Sequence, residues 1–301
     1  MINKPTVLVL GAGASIHVGY PLGGDLVNDL CRQRNSDLNN DLPMHWTAED
    51  ADSFLTRLSR SGHYSIDAFL ETVPGQADLG KFLIARELKQ HEDIDKLFSP
   101  NNPGWYQYVF NRLFEDIDIS RFSSSRLSII TFNYDRSLEV YLHEALVARF
   151  QMPADEASSI LSHVPIIHVH GTLGNYPNTP YESNCQPDEL LKISKKIQII
   201  HEVSDPEDGF CNQEFEQANE LLNQAECIYF LGFGFHPDNI RRFNFFSLEK
   251  TSDRKVHATA RGIGAVQMAS LVARLEPLGF NSSMFSGNTC DNFFSHVAAL
   301  E

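Results

Sequence analysis

Short, continuous apolar runs alternate with amphipathic segments along much of the chain. Five of these runs, rich in β-branched residues, lie at 6–10, 126–132, 164–169, 227–231 and 256–260. Such runs predict strands that are buried on both faces, as in a parallel sheet. A weaker run lies at 197–201, and helical patterns lie between several of the runs, for example at 136–150 and 212–224. The alternation predicts an α/β fold: a Rossmann-like, doubly wound parallel sheet.

Residues 36–119 interrupt this alternation. They contain no convincing buried strand but several helix-like stretches, at 48–60, 65–72, 79–91 and 105–115. We therefore predict a helical insertion or subdomain at 36–119, within a Rossmann-like domain formed by residues 1–35 and 120–301. The polar stretch at 175–187 is predicted to be a loop.

The bulk composition is that of an ordinary globular protein, with 301 residues, 42% hydrophobic and 21% charged. No apolar run approaches the ~20 residues that span a bilayer, so no membrane partner is expected. The first residues are too few and too weakly basic to form a secretion signal before the first strand, so we expect a cytoplasmic protein.

Charge and cysteine content each exclude a class of function. The formal net charge is −15, and an acidic surface repels the phosphates of nucleic acids, so direct nucleic-acid binding is not expected. The five cysteines are scattered and form no C-x-x-C pair. They predict neither a disulfide framework nor a four-thiolate zinc site, and we expect no metal.

Polar or glycine-rich clusters follow four of the predicted strands. They are GAGAS at 11–15, TFNYD at 131–135, HVHGT at 168–172 and GFGF at 232–235. Ligands of open parallel sheets bind at the carboxyl ends of the strands. If these four strands are parallel neighbours, all four clusters converge on one cleft.

The two glycine-rich clusters are candidate phosphate-binding turns. Gly11 and Gly13 would let the backbone approach a diphosphate, with amides at a helix N-terminus aimed at the anion. Gly232 and Gly234 would cradle the second phosphate or the adenosine ribose. The dinucleotide fingerprint requires a third glycine where this chain has Ile16, which counts against an ordinary dehydrogenase. Tight turns with no ligand, and aromatics that merely pack, are the alternatives.

Asn133 and Asp135 lie two residues apart after a strand, so their side chains share a face in an extended segment. An amide there can hold a carboxamide, a ribose hydroxyl or a water, and a carboxylate can stabilise developing positive charge. The alternative is that both residues cap the helix that starts near Arg136.

His170 follows the third strand and precedes Gly171, which would leave the imidazole open to the cleft. There it would suit a general base that acts on a ribose hydroxyl or a water. His168 shares its strand face, but a metal pair of this kind lacks a third ligand nearby. A hydrogen-bonded structural histidine is the alternative for either residue.

In this order, the motifs resemble the sirtuin superfamily, and more closely the prokaryotic sirtuin-like NAD hydrolases of antiphage defence. Sirtuins carry a G-A-G-x-S turn and then a G-x-P segment, which residues 11–15 and 19–21 match. A T-Q-N-I-D segment, a catalytic His-Gly and a G-T-S segment follow. Residues 131–135, His170 with Gly171, and residues 232–234 resemble these.

Departures from the deacylating sirtuins are specific. The two zinc-binding C-x-x-C pairs are absent, and Leu22 and Gly23 replace the aspartate and arginine that follow G-x-P. The resemblance therefore implies a zinc-free NAD hydrolase in which Asn133 and His170 are catalytic. It implies NAD contacts from the following residues: Gly11, Ala12, Gly13, Ser15, Pro21, Asp135, Gly171, Gly232 and Gly234.

The leading expectation is hydrolysis of NAD+, as the substrate, to nicotinamide and ADP-ribose in antiphage defence by NAD depletion. A module that senses NAD or ADP-ribose without turnover, an NAD-dependent protein deacylase and an interaction protein that works through 36–119 are the alternatives. An enzyme that depletes NAD is toxic unless restrained. We therefore expect a homo-oligomer or a regulatory partner protein, with 36–119 as a lid or contact surface.

Overall fold

The fold is built on a six-stranded, all-parallel sheet. The computed structural model describes residues 2–32, 42–100, 104–115, 119, 122, 126–199, 213–242 and 254–300. Its strands are β1 (Thr6–Leu10), β2 (Leu127–Thr131), β3 (Ile166–His168), β4 (Cys227–Leu231), β5 (Lys255–Thr259) and β6 (Phe285–Ser286). They lie in the order β3-β2-β1-β4-β5-β6. This is the strand order of Rossmann folds, and it reverses between β1 and β4.

Helices surround the sheet. In the described residues they are α1 (Gly23–Arg32), α2 (Ala48–Arg60), α3 (Ile66–Thr72), α4 (Ala77–Lys89), α5 (Ile94–Leu97), α6 (Gly104–Phe114), α7 (Ser137–Phe150), α8 (Ala154–Leu161), α9 (Pro187–Ser194), α10 (Gln213–Gln224), α11 (Pro237–Arg242), α12 (Ala265–Leu275) and α13 (Cys290–His296). None of them is both long enough and apolar enough to cross a bilayer.

Side chains of the central strands alternate between two hydrophobic cores. In β1, Leu8 and Leu10 pack into the larger core, whereas Val7 and Val9 pack into the smaller one. The larger core also receives residues of α1–α9 and α13, and the smaller core receives residues of α10–α12. Helices therefore cover both faces of the sheet, which confirms the predicted doubly wound α/β fold.

The bounds of the predicted strands and helices agree closely with those in the structure. β1, β4 and α2 have the predicted bounds, and the other predicted strands and helices differ by at most two residues at either end. The exception is the weak run at 197–201. Residues 197–199 form no strand, and 200–201 lie outside the described residues. β6 was not predicted because two residues are too short for a recognisable pattern.

The segment predicted as an insertion contains helices α2–α6, which together are called the helical layer, and it packs directly on the sheet. Residues of α2, α3, α4 and α6 share the larger core with Leu8 of β1 and Ile129 of β2. At the centre of this layer, α4 is buried over residues 79–89 and packs against α1, α3 and α9. The helices thus close one side of the sheet, and the division into domains stays a prediction.

A buried carboxylate ties this helical layer to the end of β2. The Glu92 carboxylate, three residues after α4, accepts hydrogen bonds from two nitrogens of Arg136 at 2.9 Å each. It also accepts one from Lys89. Arg136 is fully buried and donates to the carbonyls of Thr179 and Pro180, at 2.5 Å each. Three segments far apart in sequence therefore meet on one ion pair.

Replacing Arg136 should show how much free energy is lost when the buried Glu92 carboxylate has no arginine partner. Arg136→Met keeps much of the side-chain volume but leaves Glu92 with Lys89 as its one cationic partner in the described part of the chain. We expect a loss of about 3–5 kcal/mol in the free energy of unfolding, measured by urea denaturation. Arg149→Met, at an exposed arginine that bonds Asn111, should cost less than about 1 kcal/mol. Equal losses in the two variants would contradict the role of the ion pair.

Glycines allow the turns after β1 and β4 to pack backbone against backbone. Gly13 N donates to Gly232 O at 3.1 Å, and Gly11 N donates to Leu231 O at 3.0 Å. A Cβ on Gly232 would lie 2.1 Å from Ala14 N, and one on Gly11 would lie 2.6 Å from Gly232 O. Since neither turn can recede from its strand, these positions exclude any side chain. The contact stands at the point where the strand order reverses.

Gly232→Ala should destabilise the fold strongly. The residue has a φ of +60°, so alanine would add backbone strain to the overlap with Ala14. We expect a loss of about 2–4 kcal/mol in the free energy of unfolding by urea denaturation. Gly234→Ala is the matched control, because a Cβ there meets nothing within 4 Å. A loss at Gly234 as large as that at Gly232 would refute the close packing.

Candidate functional site

A cavity of about 260 Å³ lies at the carboxyl edge of the sheet, where β1, β2 and β4 end. Residues that follow the strands line one side of it: Gly11, Ala12, Phe132, Asn133, Tyr134, Asp135, Phe233, Gly234, His236 and Asn239. The helical layer and the segment after β1 line the other: Tyr20, Pro21, Gly23, Leu26, Ser65, Asp67, Ala68, Glu71 and Leu88. The helical layer thus forms a wall of the cavity.

A buried hydrogen-bond network joins the turn after β1 to the turn after β2. Asn133 Nδ2 donates to Gly11 O at 3.1 Å and to Ser15 Oγ at 3.2 Å. Ser15 Oγ in turn donates to Asp135 Oδ2 at 2.8 Å. Ser15 does not itself line the cavity, but it fixes the two side chains that do. The amide and the carboxylate are therefore held in defined orientations before any ligand binds.

Asp135 combines the two roles that the sequence left open. Its Oδ1 accepts hydrogen bonds from the backbone N–H and the hydroxyl of Ser137 at the start of α7, as a capping residue does. Its Oδ2 belongs to the cavity network through Ser15. Burial raises the pKa of this carboxyl above its usual range, although the bonds from Ser137 and Ser15 act in the opposite direction.

Tyrosine hydroxyls form hydrogen bonds at the wall of the cavity. Tyr134 donates to Asp67 Oδ1 at 2.6 Å, which joins the turn after β2 to α3. The hydroxyl of Tyr20 lies 3.1 Å from that of Tyr181, and burial raises the pKa of both phenols. The position of α3 relative to Asn133 and Asp135 is therefore set by a direct bond.

The turn after β1 presents the start of a short 3₁₀ turn to the cavity and not the N-terminus of an α-helix, so the expected helix does not follow β1 directly. Two short 3₁₀ turns, Ala12–Ala14 and Ile16–Val18, follow β1, and α1 begins only at Gly23. The amides of Gly11, Gly13, Ala14 and Ser15 each donate to carbonyls within the protein. The fifth amide of this turn, that of Ala12, belongs to a residue that lines the cavity.

The structure brings together some of the predicted site residues and separates others. Those that line the cavity are Gly11, Ala12, Pro21, Asn133, Asp135 and Gly234. Gly13, Ser15 and Gly232 stand outside this lining, in the contacts that support it. Gly171 lines a second cavity of about 450 Å³ beside β3, and a Cβ on it would lie 1.8 Å from Lys196 O.

His170 is enclosed, and the expectation that its imidazole opens to the cleft was wrong. The residue is 4% exposed, and its ring packs against Phe132 and Phe215 at centroid distances of 5.4 and 5.8 Å. Phe132 lines the cavity, whereas His170 does not. The enclosure has a physical cause, since α10 brings Phe215 over the end of β3. The catalytic role of His170 stays a prediction.

His168 is a structural histidine that holds the turn after β2. Its Nδ1 lies 3.0 Å from Asn133 O and its Nε2 lies 3.0 Å from Glu139 Oε1. Burial lowers the pKa of His168, but the Glu139 carboxylate, the Asn133 carbonyl and Asp135 together outweigh it, so the pKa is raised overall. Within the described ranges, no three His, Cys, Asp or Glu side chains group as a metal site would require.

Sequence reasoning missed the residues that α3 contributes. Asp67 and Glu71 line the cavity, yet they stand in an ordinary amphipathic helix, and no local signal says which of the helices docks at the strand ends. Tyr20 and Tyr134 were visible inside the motifs at 19–21 and 131–135, but only as positions between the residues that the motifs specify.

No model of a known protein family matches this chain. A search of curated proteins likewise finds no match. The resemblance to sirtuins therefore depends on the short motifs, and the fold class depends on the sheet described above.

The buried carboxyl of Asp135 should make stability depend on pH. Because its folded-state pKa is raised, the ionised form costs stability at neutral pH, and this cost disappears as the pH falls through the folded-state pKa. Asp135→Asn removes the titration and keeps an amide that can bond Ser137 and Ser15. The difference in free energy of unfolding, wild type minus variant, should therefore grow as the pH is lowered from 7 towards about 4, where an aspartate ordinarily titrates. A difference that does not begin to grow before the pH reaches that ordinary range would contradict the raised pKa.

Proposed function

We propose that this chain hydrolyses NAD+ to nicotinamide and ADP-ribose at the cavity between β1, β2 and β4. The network of Asn133, Ser15 and Asp135, at a cavity that reaches the reversal of strand order between β1 and β4, is the observation that carries this proposal. Nucleotides bind open parallel sheets at this position. The cavity also collects Gly11, Ala12 and Pro21 from the motifs that resemble those of the sirtuin superfamily.

The chemistry of the lining fits part of a nicotinamide nucleotide. Asn133 is 9% exposed and uses Nδ2 for Gly11 and Ser15, whereas its Oδ1 accepts no hydrogen bond from the described residues. This amide oxygen is therefore available to an occupant of the cavity, and a ligand hydroxyl, carboxamide or water could donate to it. The volume of about 260 Å³ is at the lower limit for small-molecule pockets and suits one ring with its ribose.

The proposed reaction needs a water and releases a proton. The bond between C1′ of the ribose and the ring nitrogen breaks, and its electron pair leaves with nicotinamide, which becomes neutral. The water oxygen bonds to C1′ and the proton leaves to solvent. Asn133 positions the ribose or the water, and the carboxylate of Asp135 stabilises positive charge that develops on the ribose.

Phe132 controls whether His170 can take part. The imidazole packs against this ring, which faces the cavity. For His170 to accept the proton from the water or from a ribose hydroxyl, the Phe132 side chain must turn aside. Side-chain rotation of this kind fits a closed resting state, and an enzyme that depletes NAD requires such restraint. Antiphage defence, and control by oligomerisation or by a partner protein, belong to the same proposal.

The burial of His170 also favours a second candidate function. A cleft that binds NAD or ADP-ribose and reports it, without cleavage, needs the Asn133 network but no open general base. Binding of ADP-ribose without release of nicotinamide from NAD+ would identify such a sensor.

Release of nicotinamide from NAD+ tests the leading proposal. Asn133→Ala and His170→Ala should each lower the rate by about 100-fold or more. His163→Ala, at an exposed histidine far from the cavity, should leave the rate unchanged. Because His170 is buried, His170→Gln and the thermal unfolding of each variant are needed to separate loss of chemistry from loss of fold. Full turnover in folded Asn133 and His170 variants would refute the assignment.

A further inference from the structure

Apart from tyrosines, the ionisable side chains of the described cavity lining are three carboxylic acids and one histidine, His236. Among the described lining residues are Asp67, Glu71 and Asp135, and none is a lysine or an arginine. Asp67 and Glu71 are four residues apart on α3 and so lie on one face of that helix. We infer that α3 makes the cavity selective for a positively charged ring, so that it takes the oxidised, pyridinium end of the nucleotide. This inference rests on the proposed function for the identity of the ligand.

The two acids of α3 differ in how they are held. Asp67 is partly buried, and the hydroxyl of Tyr134 fixes its Oδ1. Glu71 is exposed, one turn further along the helix. Asp135, on the opposite wall, accepts bonds at both carboxylate oxygens from serines. α3 therefore contributes charge that lies towards solvent, and Asp135 contributes charge that is buried.

Aromatic side chains give an independent indication of the same ligand class. Tyr20, Phe132, Tyr134 and Phe233 all line the cavity. Aromatic faces beside carboxylates are the means by which proteins recognise cations whose charge is spread over a ring or a quaternary nitrogen. The hydroxyl of Tyr134 donates to Asp67 and that of Tyr20 bonds Tyr181, and these bonds hold both side chains in place at the wall of the cavity.

The same lining disfavours a diphosphate inside the cavity. Carboxylates repel phosphate, and at such short range little solvent lies between them to screen the repulsion. Four amides of the turn after β1 donate within the protein, so they do not provide a phosphate cradle. The diphosphate therefore extends outwards past the exposed Gly234 and His236.

Oxidised and reduced nicotinamide rings differ little in size but differ by one positive charge. A cavity that recognises this charge distinguishes NAD+ from NADH, although both carry the same adenosine and diphosphate. The reduced nucleotide, which already lacks the cationic leaving group that the hydrolysis requires, would then also be excluded at the binding step.

Two small probes without a glycosidic bond test the inference. We would titrate the full chain with 1-methylnicotinamide, a cation, and with the neutral 1-methyl-1,4-dihydronicotinamide, and follow binding by ligand-observed NMR. The wild type should prefer the cation by about fivefold or more. The double variant Asp67→Asn with Glu71→Gln should lose most of this preference. Glu220→Gln, on α10 at the other face of the sheet, is the matched control and should keep it.

Several results would overturn the inference. They are equal affinity of the wild type for the two probes, no binding of either probe, or a preference that survives the double variant. Displacement of 1-methylnicotinamide by adenosine at lower concentration would show that the cavity takes the other end of the nucleotide. Single variants separate the acids, since exposed Glu71 can change without disturbing the Tyr134 bond. Neither probe can be hydrolysed, so a failed turnover assay with the charge preference intact would refute the hydrolase alone.

Discussion

The Glu92 carboxylate is buried where three distant segments meet, and the rest of the site depends on how its charge is satisfied. A carboxylate removed from water costs several kcal/mol unless its partners are well placed. Arg136 supplies two of the bonds, and it directly follows Asp135 in the chain. The position of the guanidinium therefore limits where the Asp135 carboxylate can lie. One ion pair thus sets the distance between the helical layer and the turn after β2.

Glycines at the reversal of strand order are required first by close contacts between backbone segments of the protein itself. Gly11, Gly13 and Gly232 meet across the turns after β1 and β4, in contacts too close for a side chain. A sequence motif reports that glycine is required, but it does not report whether a phosphate or another peptide approaches. In this protein, the close approach is made by another segment of the backbone. The two turns therefore resemble nucleotide-binding turns in sequence. The lining of the cavity, by contrast, includes Gly11, Ala12 and the polar residues beside them.

The sequence predicted well those features of the fold and the site that depend on residues close together in the chain or on the parallel order of the strands. Buried strands show as short apolar runs, and parallel strands place their ends together, so Asn133 and Asp135 were expected beside Gly11 and found there. The enclosure of His170 depends on Phe215, which belongs to a helix that begins more than 40 residues later. Likewise, the docking of α3 at the cavity depends on the Tyr134 bond to Asp67. Contacts between distant segments leave no periodic signal.

The strand order also has a consequence for synthesis on the ribosome. β1 is made first, but it lies in the middle of the sheet, between β2 at 127–131 and β4 at 227–231. An apolar strand buried on both faces must therefore wait without β2 while the helical layer emerges, and without β4 until α7–α10 have followed. Closing such long loops costs entropy before any contact repays it, and exposed strands invite aggregation meanwhile. The helices of the layer emerge between β1 and β2 and cover one face of β1 in the folded protein, so they are the first partners available to the strand that later supports the cavity.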